Sequence, residues 1–219
     1  MRFNRGVRIG DHHSRDSWDL VMTKKVIEFP QLQTETVTVP GSDGITDLST
    51  ALTGGDIKYK NRKITIDFTM LNEWGQLMKP LAEIADAVHG QALPVVFDED
   101  QGFYYFGRCS MGKPTIDNVI AKFSITVDAE PYKMRNLETL VITPVNGVTI
   151  ASYVNMRKWV TPRFIVDKEL QLTCGKIQAT LLPGENVVPG LMFKGGENIV
   201  KYSSAELCTV KVVYREGGL

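Results

Sequence analysis

The strongest constraint on the fold is a strict two-residue alternation of apolar and polar side chains. Over residues 63–70, every second side chain is apolar, namely Ile64, Ile66, Phe68 and Met70. Residues 121–129 repeat the pattern with Phe123, Ile125 and Val127. A period of two predicts strands with one buried face and one wet face. The chain is therefore expected to build sheets around a one-sided core.

Shorter strand patterns and turn signals extend this prediction along the chain. Further strands are expected at residues 34–39, 94–98, 103–107, 163–166, 170–174, 176–182 and 208–214. The acidic stretch 98–102 ends in Gly102 and predicts a hairpin loop with a solvated tip. Residues 183–186 and 195–198 are rich in Gly and Asn, a composition typical of turns.

One segment, about residues 72–89, has helical rather than strand spacing. Its apolar residues recur at three- and four-residue intervals, at Leu77, Leu81, Ile84, Ala85 and Val88. Asn72 is expected to cap the helix and Gly90 to end it. Pro80 either kinks this helix or opens its second half.

The strand pattern stops after Pro131, and residues 144–147 carry a second turn signal. We therefore predict two domains, residues 1–135 and residues 136–219. The first is expected to be mostly β, as a sandwich or split barrel with one main helix. Many short strands with Gly and Asn turns predict a smaller β-sandwich for the second.

Composition excludes several classes of protein. The 219 residues include 25 Lys and Arg and 25 Asp and Glu, so the basic excess typical of nucleic-acid binding is absent. No apolar run approaches the roughly 20 residues of a membrane helix, and residues 1–8 lack the apolar core of a signal peptide. A soluble protein that stays in the cytoplasm until assembly or release is expected. The 3 widely spaced cysteines predict reduced thiols.

A search for chemistry finds no catalytic constellation. Asp11, His12, His13 and Asp16 form the one cluster with metal-ligand residue types. Adjacent histidines point in different directions in regular structure, so a polar loop is the better interpretation. No catalytic residue, metal or cofactor is predicted. In the aromatic run 103–106, alternate rings face opposite sides, which favours packing or a subunit contact over ligand stacking.

Residues 1–135 contain an ordered set of short motifs, namely Arg2-Phe3-Asn4, Ser17-Trp18-Asp19-Leu20, Ile27-Glu28-Phe29-Pro30, Val39-Pro40-Gly41-Ser42-Asp43-Gly44, Tyr59-Lys60-Asn61-Arg62 and, after the helix, Tyr104-Tyr105-Phe106-Gly107-Arg108 and Ala129-Glu130-Pro131-Tyr132. This order resembles the N-terminal domain of siphophage distal tail (Dit) proteins. The glycines of residues 195–198 and the strand 209–217 are similar to the end of the same family, whose C-terminal domain is a galectin-like β-sandwich.

The resemblance implies a structural virion protein of a long, non-contractile phage or prophage tail, and no enzyme. The N-terminal domain would form a homo-hexameric ring that continues the tail tube, and DNA would pass through its channel without specific binding. The implied partners are the major tail tube protein, a tail-associated hub (Tal-like) protein and, in some phages, a receptor-binding protein. The implied location is the virion tail tip, after synthesis in the host bacterial cytoplasm.

The matching motif residues are expected to serve architecture rather than catalysis; they are Gly41, Asp43, Gly44, Asp47, Tyr59, Arg62, Gly107, Pro131 and Tyr132. Gly41 and Gly44 would supply unusual backbone angles in a loop. Tyr59 and Arg62 would fix that loop by hydrogen bonds or stacking, and Pro131 would stop a strand.

The sequence leaves two alternative functions to compare with this one. A carbohydrate-binding module would use Trp159 as an aromatic platform with Asn155, Arg157 and Arg163 around it, although a core or interface Trp159 fits the sequence better. A cell-wall hydrolase would need paired carboxylates or a metal site at a defined separation, and no such pair has supporting residues.

Overall fold

The computed structural model describes residues 6–73 and 75–219 and divides the chain into two compact units. The motif Arg2-Phe3-Asn4 lies outside the described residues. Unit 1 comprises Met1–Lys133 with Leu219, and unit 2 comprises Met134–Gly218. In the described part of the chain, no helix is long and apolar enough to cross a membrane.

Unit 1 is an antiparallel sheet with one helix among its described residues. Its elements are β1 (Val7–Ile9), β2 (His12–His13), β3 (Val21–Ile27), β4 (Thr36–Val37), β5 (Thr46–Asp47), β6 (Arg62–Leu71), α1 (Met78–Val88), β7 (Ala92–Phe97), β8 (Phe103–Met111), β9 (Thr115–Asp117) and β10 (Ile120–Ala129). The main sheet has the order β2-β1-β7-β8-β10-β6-β3, with β9 also paired to β10, and β4 and β5 form a separate hairpin.

The two strands with the clearest alternation are direct neighbours in this sheet. β6 and β10 pair from Arg62 opposite Ala129 to Leu71 opposite Ile120. The predicted apolar faces of both strands are buried, and the rings of Phe68 and Phe123 lie 5.8 Å apart. This shared face forms the centre of the unit 1 core.

Helix α1 is shorter than predicted, and its start explains how the chain accommodates Pro80. The helix begins at Met78, so Pro80 falls in the first turn, where backbone N–H groups have no partner within the helix. Asn72 does not cap it: its side chain accepts from the N–H of Glu73 and donates to the carbonyl of Gln76, which closes a separate turn. The helix ends at Val88, just before the predicted stop at Gly90.

The hairpin between β7 and β8 is confirmed, but its acidic tip is not simply solvated. A 3-10 turn, Asp98–Asp100, holds three carboxylates that each contact a His or Lys side chain within unit 1. Asp98 contacts His13, Glu99 contacts Lys25, and Asp100 contacts Lys133 at 2.7 Å. The run that looked like a charged loop therefore ties the β7–β8 turn to its surroundings.

Unit 2 is built around one very long ribbon. Its elements are β12 (Thr139–Asn155), β13 (Arg163–Val166), β14 (Leu170–Cys174), β15 (Ile177–Leu181), β16 (Gly184–Val187), β17 (Gly196–Tyr214) and β18 (Gly217–Gly218), with β11 (Lys133–Arg135) at the boundary. β12 pairs with one side of β17, while β14 and β13 pair with different lengths of its other side. The apolar residues of all these pairings share one core.

The structure corrects three strand predictions. Residues 144–147 are not a turn between domains, since they lie inside β12, where the register shifts between Val145 and Gly147 and Gly147 adopts a φ of 63°. The strand predicted at 208–214 is only the end of β17. Of the strand predicted at 34–39, Thr36–Val37 alone is paired, because neither face has a core to cover. The mostly β class with one main helix is confirmed.

Replacing an inward side chain of β6 should destabilise unit 1 far more than replacing its outward neighbour. We expect Ile66→Ala to lower the free energy of unfolding by about 2–5 kcal/mol, because it leaves a cavity in the core. Thr65→Ala, one position along the same strand, should change it by less than about 1 kcal/mol. Chemical denaturation measures both, and equal effects would contradict the assigned faces.

Candidate functional site

The described structure contains a long projection from unit 1, residues 31–60, which we call the arm. It connects β3 to β6, and its base is held by backbone hydrogen bonds. The N–H of Gln33 donates to the carbonyl of Lys58 at 2.9 Å, and the N–H of Lys60 donates to that of Gln31 at 2.8 Å. Beyond this base, the β4–β5 hairpin continues the arm outward.

The arm carries apolar side chains that its own chain does not cover. All residues from 31 to 48 are exposed. The exposed large apolar residues are Leu32, Val37, Val39, Ile45, Leu48 and Leu52. Contiguous exposed apolar surface is typical of a binding or assembly surface rather than of a free monomer surface. The arm is therefore a candidate assembly surface on unit 1.

Four of the predicted motif residues lie in the outer part of the arm, residues 33–55. Gly41 and Gly44 have φ angles of 83° and 81°, which other residues rarely adopt, and Asp43 lies between them in the β4–β5 connection. Asp47 accepts hydrogen bonds from the hydroxyl and the N–H of Ser49, at 2.5 and 2.8 Å. These two bonds, the hydroxyl first, lower the pKa of Asp47 and keep the carboxylate charged.

The other motif residues of unit 1 meet at the base of the arm. Arg62, at 3% exposure, donates from its guanidinium to the carbonyl of Pro131 and lies 5.4 Å from the Tyr105 ring centre. The rings of Tyr59 and Tyr132 meet edge to face at 5.8 Å. Tyr59 and Arg62 therefore contact the chain that leaves β10.

Gly107 lies in the same region, at a position where no side chain fits between the two strands. It lies opposite Ala129 in the β8–β10 pairing. A Cβ at this position would come within 2.3 Å of the carbonyl oxygen of Asp128 and 2.5 Å of the Ala129 Cα. Only glycine permits this approach of the two strands. Tyr105, which belongs to the same sequence motif as Gly107 but was not predicted as a site residue, also joins the cluster through its contact with Arg62.

The buried cation is the electrostatic centre of this cluster. Burial lowers the pKa of Arg62, and Tyr105 offsets part of that effect. Arginine remains protonated at neutral pH even so. The Nε of Arg62 is buried without a hydrogen-bond partner among the described residues, while the guanidinium nitrogen Nη2 bonds the Pro131 carbonyl.

The residues considered for glycan binding lie in unit 2, and one of them, Asn155, forms hydrogen bonds with the protein's own backbone. Asn155 is buried and donates its amide to the carbonyls of Lys158, at 2.8 Å, and Phe193, at 3.0 Å. The ammonium of Lys194 lies 4.5 Å from the Trp159 ring centre. Arg157 is exposed, and Arg163 pairs with Glu138 at 2.8 Å.

The histidine cluster diverges as the sequence indicated. The ring of His12 stacks on Trp18 at 4.9 Å. His13 turns inward and contacts Asp98 at 3.1 Å through Nε2, with Asp16 beside Nδ1 at 3.0 Å. Among residues 6–73 and 75–219, no group of three or more His, Cys, Asp or Glu side chains has metal-binding geometry.

Comparisons with known proteins identify the fold. No protein-family model matches the chain, and no curated protein matches it in sequence. Among solved structures, it is similar to the Dit (gp 19.1) protein of phage SPP1, described as a paradigm of the hub adsorption apparatus in phages that infect Gram-positive bacteria. The match has a TM-score of 0.66 at 11% identity and covers 96% of this chain and 98% of the SPP1 protein. The chain therefore has a Dit-like fold over both units.

Removing the buried cation should destabilise unit 1 specifically. We expect Arg62→Ala to lower the free energy of unfolding by about 2–3 kcal/mol, since a charged, buried hydrogen bond to the Pro131 carbonyl is lost. Arg108→Ala removes an exposed arginine that bonds the Gly90 carbonyl and should cost less than about 1 kcal/mol. Denaturation of both variants tests this, and equal losses would contradict a special role for Arg62.

Proposed function

We propose that this protein is the distal tail hub of a long, non-contractile phage or prophage tail, a structural virion protein rather than an enzyme. Unit 1 would form a homo-hexameric ring that joins the tail tube to the tail-tip adsorption apparatus. The observation that carries the proposal is the Dit-like fold, which extends over 96% of the chain and was indicated independently by the order of motifs in residues 1–135.

The arm supports an assembly role for unit 1. A ring needs a heterologous interface, in which one surface of each copy meets a different surface of the next. The apolar residues of the arm have nothing to cover them in the single chain. Burying them against a neighbour would remove apolar area from water and so stabilise a closed ring.

The partners follow from the position of such a ring in a tail. One face would meet the major tail tube protein, and the other a tail-associated hub (Tal-like) protein. Unit 2, as a galectin-like β-sandwich, would project outward, where a receptor-binding protein would dock in some tails. The finished protein would reside in the virion tail tip after synthesis in the host cytoplasm.

The charge balance supports a channel that passes DNA without holding it. Lys and Arg equal Asp and Glu at 25 each, so the chain has no net attraction for phosphates. Many of its cations are also neutralised locally, as in the pairs formed by Lys25, Lys133 and Arg163.

The first test is the molar mass in solution. We expect light scattering behind size exclusion to give a mass about six times the 24.4 kDa of one chain as protein concentration rises. The double variant Ile45→Asp with Leu52→Asp should shift the protein to monomer, because it puts charge on the apolar surface of the arm. Leu207→Asp, at an exposed apolar position of unit 2, is the control. A wild-type chain that stays monomeric throughout would contradict the ring.

A further inference from the structure

Helix α1 has a second apolar face that its own core does not use. Its core face consists of Leu77, Leu81, Ile84 and Val88, all buried. A second row, made of Met78, Ala82 and Ala85 with His89 just after the helix, faces the end of β8 and the turn after it, and Leu81 of the core face also borders the space between them. Between them lies an open groove of about 400 Å³, which we call the α1 groove.

The α1 groove is apolar and weakly cationic. Its lining includes no carboxylate, and Lys113 is its one permanently charged side chain among the described residues. Within residues 6–73 and 75–219, no hydrogen bond or ion pair is formed by the Lys113 side chain. The Nδ1 of His89 accepts from the N–H of Met111 at 3.0 Å, which holds the imidazole at the edge of the groove.

The outer part of the arm has the complementary character. Residues 33–55 contain three carboxylates, Glu35, Asp43 and Asp47, and no Lys, Arg or His. Among them stand the exposed apolar side chains, of which Leu52 is 100% exposed. An acidic, apolar projection and a cationic, apolar groove therefore occur on the same unit, and neither is covered in the single chain.

We propose that the arm of one copy docks in the α1 groove of the neighbouring copy, with Leu52 and Ile45 as apolar anchors and Asp43 near Lys113. The inference rests on the proposed ring, for which it names the two surfaces that meet. A ring requires two different surfaces on each copy, and the arm and the groove meet that requirement. Opposite charges at the rim of the contact would favour the pairing of an arm with a groove, and the apolar contact would supply most of the affinity.

Cross-linking between differently tagged copies tests the contact directly. Leu52→Cys and Met78→Cys are made in separate full-length chains in which Cys174, the one native cysteine that is not buried, is replaced by serine. The two chains are mixed and treated with a short bis-maleimide. We expect at least tenfold more product joining the two tags than in a matched mixture of Met78→Cys with Leu207→Cys, because Leu207 lies outside both surfaces.

Three other outcomes of this experiment would contradict the docking of the arm in the α1 groove. Assembly of normal mass with cross-linking only at the control level would overturn arm-in-groove docking and leave the ring standing. Products joining two Met78→Cys chains would also overturn it, because they would show a groove covered by a second groove. Wild-type chains that remain monomeric by light scattering, together with cysteine variants that form no product, would overturn both the contact and the ring.

Charge exchange provides a second readout that does not depend on cysteine chemistry. We expect Lys113→Glu to weaken self-association about fivefold, because it replaces attraction to the acidic arm by repulsion. Asp43→Lys in the same chain should restore it, whereas Lys176→Glu, an exposed lysine of unit 2, should leave association unchanged. Weakening by Lys113→Glu that Asp43→Lys does not reverse would place the partner of Lys113 elsewhere and overturn the proposal.

Discussion

The pairing of β6 with β10 is the constraint on which the rest of unit 1 depends. Ten consecutive residue pairs keep one register, from Arg62 opposite Ala129 to Leu71 opposite Ile120. A slip of one residue would turn every apolar side chain of either strand to the wrong face. The same register sets Arg62 beside the chain that follows Ala129, so that its guanidinium reaches the Pro131 carbonyl. The base of the arm is thus anchored by the ladder that forms the core.

The base of the arm is held by hydrogen bonds, whereas the apolar side chains farther along the arm are exposed. Buried polar groups with few alternatives, such as the guanidinium of Arg62, give the base a single geometry. The exposed apolar residues beyond it gain nothing within one chain. A projection whose base is held by backbone hydrogen bonds and whose apolar residues are uncovered suits docking on another molecule, because burying those residues would remove apolar area from water.

The long ribbon of unit 2, formed by β12 and β17, contains a shift in the register of its pairing. β17 is 19 residues long and contributes to the core along both of its halves, which an uninterrupted strand with regular pairing does not readily do. The register shifts between Val145 and Gly147, where Asn146 alone stands opposite residues 205–207 of β17, and a bulge of this kind favours a local bend and twist. Gly147 appears in the sequence as a turn signal because a bulge and a turn share the need for a positive φ.

The amino-acid sequence by itself determined the mostly β class, the inward faces of β6 and β10, the β7–β8 hairpin and the positions of Gly41 and Gly44. Each of these follows from side-chain alternation or from the backbone freedom of single residues, which are local properties. The order of motifs further predicted the Dit-like fold and most residues of the cluster at the base of the arm.

Only the tertiary structure decided which partner each residue meets. It paired Glu99 and Asp100 with lysines distant in sequence, used Asn155 to bond backbone carbonyls, and joined β12 to β17 across a large separation in sequence. Alternation predicts which face of a strand is buried but not which strand pairs with it. The identity of an apolar residue also does not reveal whether that residue is exposed or buried in the folded chain. The uncovered arm and the second face of α1 therefore emerged only once the chain was folded.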